Sequence, residues 1–187
     1  MSVQILTLER EYGSGGNVIA GKVAARLGWK LWDQLLTQEI AKRLDCDCTA
    51  VEQHEERRDP AHYRLLKAFM RGSFEGSLNA PRLKMLDADC IRDVTRNLLE
   101  EITATGKCVI VGRGSQCVLQ DRRDVFHVFL HAPGAGRHPV DEQRARYVQM
   151  NFGQEWRNPH LYDLMIDTQL GEERVVAAIL AGMGYPS

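Results

Sequence analysis

No apolar run in the 187 residues approaches the roughly 18–20 that a membrane-spanning helix needs, which excludes a helical membrane span. Neither sign of charge predominates. There are 24 Lys and Arg against 25 Asp and Glu, a formal net charge of -1, and this balance argues against a general nucleic-acid or polyanion binder. Cysteines are few and irregular. Of the five, Cys46 and Cys48 form the one close pair, a spacing that matches neither a zinc site nor a thioredoxin-type redox motif. They read as incidental thiols of a reducing compartment. The six histidines show no HExxH-like grouping, so no protein-built metal site is expected. Met1 to Arg10 lacks the apolar stretch of a signal peptide, and a cytoplasmic location is expected. Repeats, low-complexity tracts and interdomain linkers are missing too. With 44% hydrophobic and 26% charged residues, the expectation is one soluble folded domain over residues 1–187.

Strand and helix signals alternate along the chain. Val3 to Leu8 is a β-rich run that stops at the charged Glu9-Arg10-Glu11. Tyr12-Gly13-Ser14-Gly15-Gly16 follows, and then Val18, Ile19, Val23 and Leu27 recur at helical spacing as far as Gly28. Trp29 to Trp32 is a second strand candidate, closed by Asp33, which could cap a helix from Gln34 to Leu44. Residues 45–81 are polar, helical by pattern over Thr49 to Arg71 and loop-like over Gly72 to Pro81. An amphipathic helix is predicted over Arg82 to Thr105. Further strands are predicted at Cys108–Val111, Val125–Leu130 and Asp163–Asp167, with helices at Val140–Asn151 and Glu172–Leu180. This alternation predicts an α/β fold with a mostly parallel five-stranded sheet flanked by helices.

In open α/β sheets, ligands sit where strand ends pass into helices. The Tyr12–Gly16 loop has that placement. Glycine amides can approach an anion closely, and a helix N-terminus adds positive potential. The dinucleotide fingerprint fails because its third glycine position is Val18. The Walker-type match beginning at Gly16 also fails, since its final Ser/Thr position is Val23 and its loop is apolar helix. What remains is a phosphate loop without lysine, in which Gly13, Ser14, Gly15, Gly16 and Asn17 are candidate phosphate binders. Arg10 at its opening is the available cation. Asn17 and Val18 offer no hydroxyl for Mg²⁺. A tight turn that binds nothing is the competing reading.

Other strand ends of the same sheet are where further cations could face an anion bound at that loop. Arg113 follows a buried strand and suits that role. The alternative is a guanidinium that caps the helix opening at Ser115 or pairs with a surface carboxylate. Asp141 and Arg144 lie three apart on one face of a predicted helix, where a solvated ion pair is the default reading. Arg146 points off that face.

The segment Leu6-Thr7-Leu8-Glu9-Arg10-Glu11-Tyr12-Gly13-Ser14-Gly15-Gly16 resembles the start of the cytidylate kinase-like family, a divergent branch of P-loop nucleoside monophosphate kinases. The resemblance continues through residues 27–33, through Val109-Ile110-Val111-Gly112-Arg113-Gly114, and through residues 162–168. It implies a three-layer P-loop kinase fold. It also implies transfer of the ATP γ-phosphoryl, with Mg²⁺, to a nucleoside monophosphate, CMP or dCMP foremost. Arg10, Arg113 and Arg144 would be the catalytic cations. Asp33, Arg113, Ser115, Asp141 and Arg144 would bind the acceptor, with Asp141 reading the cytosine amino group. Gly114 departs from the family's Gly-Arg-Asp pattern. So does the lid: residues 133–140 are too few for a two-helix lid, and Arg137 is the cation within them. A catalytically impaired nucleotide-binding protein on the same fold is the alternative, and residues 45–81 would be the acceptor-side insertion.

Overall fold

A computed structural model describes residues 2–33, 35–36, 39–40, 43, 88–132 and 138–186. Most of the middle region expected at 45–81, and the stretch 133–137 with Arg137, lie outside the described residues.

Five strands form one sheet: β1 (Ile5–Arg10), β2 (Lys30–Trp32), β3 (Cys108–Val111), β4 (Val125–His131) and β5 (Leu164–Asp167). Their order is β2-β3-β1-β4-β5, and every neighbouring pair is parallel. The strands are apolar on both sides because both faces are covered. Successive side chains alternate across the sheet, so Ile5 and Ile110 join one core cluster and Leu6, Leu8, Val109 and Val111 the other. The first cluster packs against α2 (Ala88–Ala104) and against Leu36 and Ile40. The second packs against α1 (Gly16–Leu27) and α5 (Glu172–Gly182). A short helix α3 (Ser115–Val118) follows β3, and α4 (Pro139–Phe152) follows β4.

The helix ends have local causes. Gly28 adopts φ +63° and returns its amide to the carbonyls of Ala24 and Ala25, closing α1. His138 caps α4, its Nδ1 accepting from the Val140 amide ahead of Pro139 at the first helical position. Of the helix expected over Gln34 to Leu44, positions 35, 36, 39, 40 and 43 are helical.

The largest departure from the sequence reading is at the end of β1. Glu9-Arg10-Glu11 was expected to stop the strand. Instead β1 runs through Arg10, and all three charged side chains are buried. The strand begins at Ile5 rather than Val3, and β2 begins at Lys30 rather than Trp29. Strand β5 starts one residue after Asp163, whose carboxylate accepts the His127 amide and so belongs to the strand's entry.

Candidate active site

Strand order decides what meets at the carboxyl ends. Because β1 lies between β3 and β4, the loop after β1 stands beside the loop after β3 and the exit of β4. The glycine loop is built for close approach. Gly13 and Gly15 take φ of +81° and +68°, a region L-residues enter at a cost. Ser14 is buried and closes the turn, its amide and hydroxyl both donating to the Glu11 carbonyl, the hydroxyl at 2.8 Å. The sequence reading offered the Ser14 amide to phosphate; the structure turns it inward. The amides of Gly13, Gly15, Gly16 and Asn17 donate to no acceptor among the described residues. They open α1, where an anion is favoured.

Arg10 closes β1 beside this loop. Its side chain passes beneath the start of α1, so close to Gly16 that a Cβ there would stand 2.7 Å from Arg10 Cγ. Its guanidinium reaches the β3 side. A Cβ on Gly112 would stand 2.7 Å from Nη1, and Nη2 lies 3.9 Å from Asp33 Oδ1 at the end of β2. Asp33 is thereby brought into the site from β2.

Arg113 is also buried, and it occupies a left-handed conformation, φ +66°, between two glycines of like conformation. Such a conformation is uncommon outside glycine. Gly114 caps α3 without a side-chain bond, and Arg113 is only 4% exposed, so it is not a surface side chain. Gly114 itself lies under the Phe152 ring, which leaves no room for a Cβ at 114. Ser115 is fully buried, and its hydroxyl has no partner among the described residues.

Asp141 and Arg144 pair at 3.0 Å, but the pair is not a solvated one: their side chains are 1% and 7% exposed. Arg144 Nη1 also donates to the Arg10 carbonyl at 2.9 Å, and Asp141 Oδ1 accepts the Tyr12 amide at 2.9 Å. Asp141 Oδ2 is buried without a partner. Arg146, by contrast, is exposed and 3.9 Å from Glu142.

The three arginines act on one another. Burial, and next the charge of Arg144, push Arg10 down to about 10, with Glu9 and Asp33 opposing. Burial likewise lowers Arg113, against support from Tyr147, Asp33 and Glu9, while Arg144 lowers it further. All three guanidinium groups are buried. Buried like charges favour an anion between them.

Several contributors were not legible in the sequence. Glu9 Oε2 accepts the indole N–H of Trp156 at 3.1 Å. Glu11 Oε1 accepts from Arg157 Nε at 2.9 Å, and its Oε2 accepts the Ala132 amide at 2.8 Å. Tyr12 stacks on His138, centroids 3.7 Å apart and rings 3° from parallel. Their one signal in the sequence is a lone Trp-Arg pair inside a polar turn ahead of Asn158-Pro159.

A parallel 2-3-1-4-5 sheet flanked by helices, with a glycine loop after its central strand, is the fold of the P-loop kinases. Solved structures agree. An uncharacterized protein from Eubacterium ventriosum ATCC 27560 superposes with a TM-score of 0.63 at 17% identity, over 96% of this chain and 98% of its own. Shikimate kinase from Aquifex aeolicus vf5 gives 0.50 at 13% identity, over 96% of each chain. Shikimate kinase from Bacteroides thetaiotaomicron gives 0.50 at 15%, over 97% of this chain and 98% of its own. At these identities the likeness speaks for the fold. The model of the cytidylate kinase-like family matches residues 5–139, and the chain belongs to that family. No curated protein matches the sequence. Asp141 and Arg144 lie beyond the matched residues, so their place in the site rests on the geometry above. No helix among the described residues is long and apolar enough to cross a membrane.

Proposed function

We propose that this chain is a cytoplasmic single-domain kinase that transfers the γ-phosphoryl of ATP to a pyrimidine nucleoside monophosphate, CMP or dCMP foremost. The observation that carries the reading is the set of three buried, mutually repelling arginines, Arg10, Arg113 and Arg144, beside a glycine loop with uncommitted amides. Membership of the cytidylate kinase-like family supports it.

Phosphoryl transfer asks the protein mainly for positioning and for charge opposite the equatorial oxygens. The amides of Gly13, Gly15, Gly16 and Asn17 would cradle the donor phosphates. Ser14 would hold that loop in shape. Arg10, displaced toward β2 and β3, stands between donor and acceptor sides and would face the transferred group. Arg113 and the free nitrogens of Arg144 would take the acceptor phosphate. The second oxygen of Asp141 would accept from the acceptor base, and Ser115 would add a hydroxyl behind Arg113. Arg137 would supply a further cation from the short lid.

ATP in this reading arrives with Mg²⁺. Among the described residues no group of three His, Cys, Asp or Glu side chains gathers into a cation cage. Mg²⁺ on ATP is held largely by phosphate oxygens and water, with one or two carboxylates from the protein. Asp33, 13% exposed at the end of β2 beside Arg10, fits that share. Bound with ATP, the ion would supply charge neutralisation at the phosphates, and the protein's part would be to orient them.

The test is incubation with ATP, Mg²⁺ and each nucleoside monophosphate in turn, followed by detection of diphosphate product. CDP or dCDP formed faster than any other diphosphate is the expected result. No diphosphate from any acceptor, alongside measurable ATP binding, would leave a non-catalytic nucleotide-binding protein.

A further inference from the structure

Asp141 and Arg144 touch the glycine loop from both sides of one residue. Arg144 Nη1 donates to the carbonyl of Arg10 and Asp141 Oδ1 accepts the amide of Tyr12, so the backbone on either side of Glu11 is held by a single buried ion pair. Both partners come from the first two turns of α4, which reaches the loop from the far end of the sequence. The Tyr12 ring stacks on His138, the cap of that same helix. Glu11, between the two gripped positions, receives the Ala132 amide and the Arg157 side chain. Its carbonyl in turn receives Ser14. The loop's entry is thus fixed from outside at three consecutive residues, and the uncommitted amides begin directly after it.

We propose that the Asp141–Arg144 pair is a positioning device for the donor phosphate loop, setting the path of residues 10–12 so that the amides of Gly13, Gly15 and Gly16 converge on one anion. The inference deepens the kinase reading above and rests on it for the identity of the anion. The physical basis is that a glycine-rich loop has wide conformational freedom, which must be restricted before binding or else opposes it. A buried ion pair bonded to a backbone carbonyl on one side and an amide on the other removes that freedom before the ligand arrives. Arg144 Nη1 serves both internal bonds, which leaves the other guanidinium nitrogens for an acceptor phosphate. One residue can therefore hold the donor loop and face the acceptor at once, and acceptor binding acts on the loop through it.

The test separates loop positioning from acceptor binding. In the full chain, ATP·Mg²⁺ binding is measured without acceptor, and CMP binding without donor, for the parent, Asp141→Ala, Asp141→Asn and Arg144→Ala. The expected result is ATP affinity weakened about tenfold or more in D141A and R144A, with D141N recovering most of it because an amide oxygen still accepts from Tyr12. ATP affinity within twofold of the parent in D141A, whatever happens to CMP, would overturn the proposal. A second readout is hydrogen exchange of the Tyr12 amide in the ligand-free chain. Protection in the parent and D141N, lost in D141A, is expected; equal exchange in all three overturns the proposal even in a chain that binds no nucleotide. Should the parent bind neither ATP nor CMP, the kinase reading fails alone, and the exchange experiment still decides the positioning role. If D141A does not fold, Arg144→Met carries the decision, since it removes the donor to the Arg10 carbonyl: ATP affinity about tenfold weaker than the parent's is expected, and affinity within twofold overturns the proposal.

Discussion

The guanidinium of Arg10 lies against Gly112: a Cβ at that glycine would stand 2.7 Å from Nη1. Gly16 does the same for the base of the side chain, its absent Cβ falling 2.8 Å from Arg10 Cβ and 2.7 Å from Cγ. Two glycines from different loops thus bound the channel that one buried arginine occupies. The two contacts differ in what can yield. Gly112 meets the far end of a flexible side chain, so Gly112→Ala would push the guanidinium aside and add the strain of a non-glycine at φ +76°, about 1–2 kcal/mol. Gly16 meets the stiff base, so Gly16→Ala would force α1 off β1 and cost about 1–3 kcal/mol as overpacking. Both should lower phosphoryl transfer by roughly 10²-fold, the scale of an ångström-sized misplacement. Thermal unfolding and turnover measured together check the order: G16A is expected to lose more stability, and G112A to lose turnover out of proportion to its stability.

Arg10 is a cation the fold holds at a disadvantage. Burial and Arg144 push it down to about 10, so its charge is less welcome in the folded chain than in water. Removing it relieves burial of the charge and repulsion from Arg144. It also takes a countercharge from Asp33, 3.9 Å away and 13% exposed, and such a removal is destabilising. Glu9 keeps the Trp156 indole when Arg10 is gone. The two effects oppose, so Arg10→Met is expected to lose only about 1–3 kcal/mol of stability, while phosphoryl transfer falls by roughly 10³-fold or more. A larger loss of stability in R10M would mean that Arg10 is structural, and the three-arginine site would lose its central member.

Arg146 provides the control. It lies on α4 between residues of the site, yet its side chain is 67% exposed and its partner Glu142 is 3.9 Å away and half exposed. Surface pairs of this kind contribute little. Arg146→Ala is expected to leave stability within about 0.5 kcal/mol and turnover unchanged. A drop in turnover comparable to that of Arg144→Ala would show that a cation anywhere on α4, rather than the buried geometry of Arg144, matters.

The contrast between these arginines marks where sequence reading stops. Local pattern found all five strands, because an apolar run bounded by glycine or charge is visible within a few residues. It placed the glycine loop correctly for the same reason. It misjudged Glu9-Arg10-Glu11, since three charges in a row are solvated unless each meets a partner. Those partners, Trp156, Arg144, Arg157 and Ala132, lie more than a hundred positions away. The spacing of Asp141 and Arg144 revealed an ion pair but not its burial, which comes from the main chain of residues 10 and 12. Local periodicity carries the faces of an element. It does not carry which polar groups will be brought against it from the other end of the chain.

The bond between Glu9 and Trp156 tests that long-range logic. Trp156 is 1% exposed and packs edge-on against Phe129, 5.1 Å between centroids, while its N–H supplies Glu9 Oε2. Glu9 in turn supports the charges of Arg10 and Arg113. Trp156→Phe leaves a buried carboxylate oxygen without its donor and removes part of a large core ring. The loss should be about 2–4 kcal/mol. Glu9→Gln keeps an oxygen that can accept from the indole, so its own cost should be smaller. In the double variant no carboxylate charge is stranded, and the combined loss should fall short of the sum by roughly 0.5–3 kcal/mol. Denaturant unfolding of the four chains measures this directly. Strict additivity would sever Glu9 from Trp156 energetically, and with it the account of how a glutamate is accommodated at the end of a buried strand beside a site for anions.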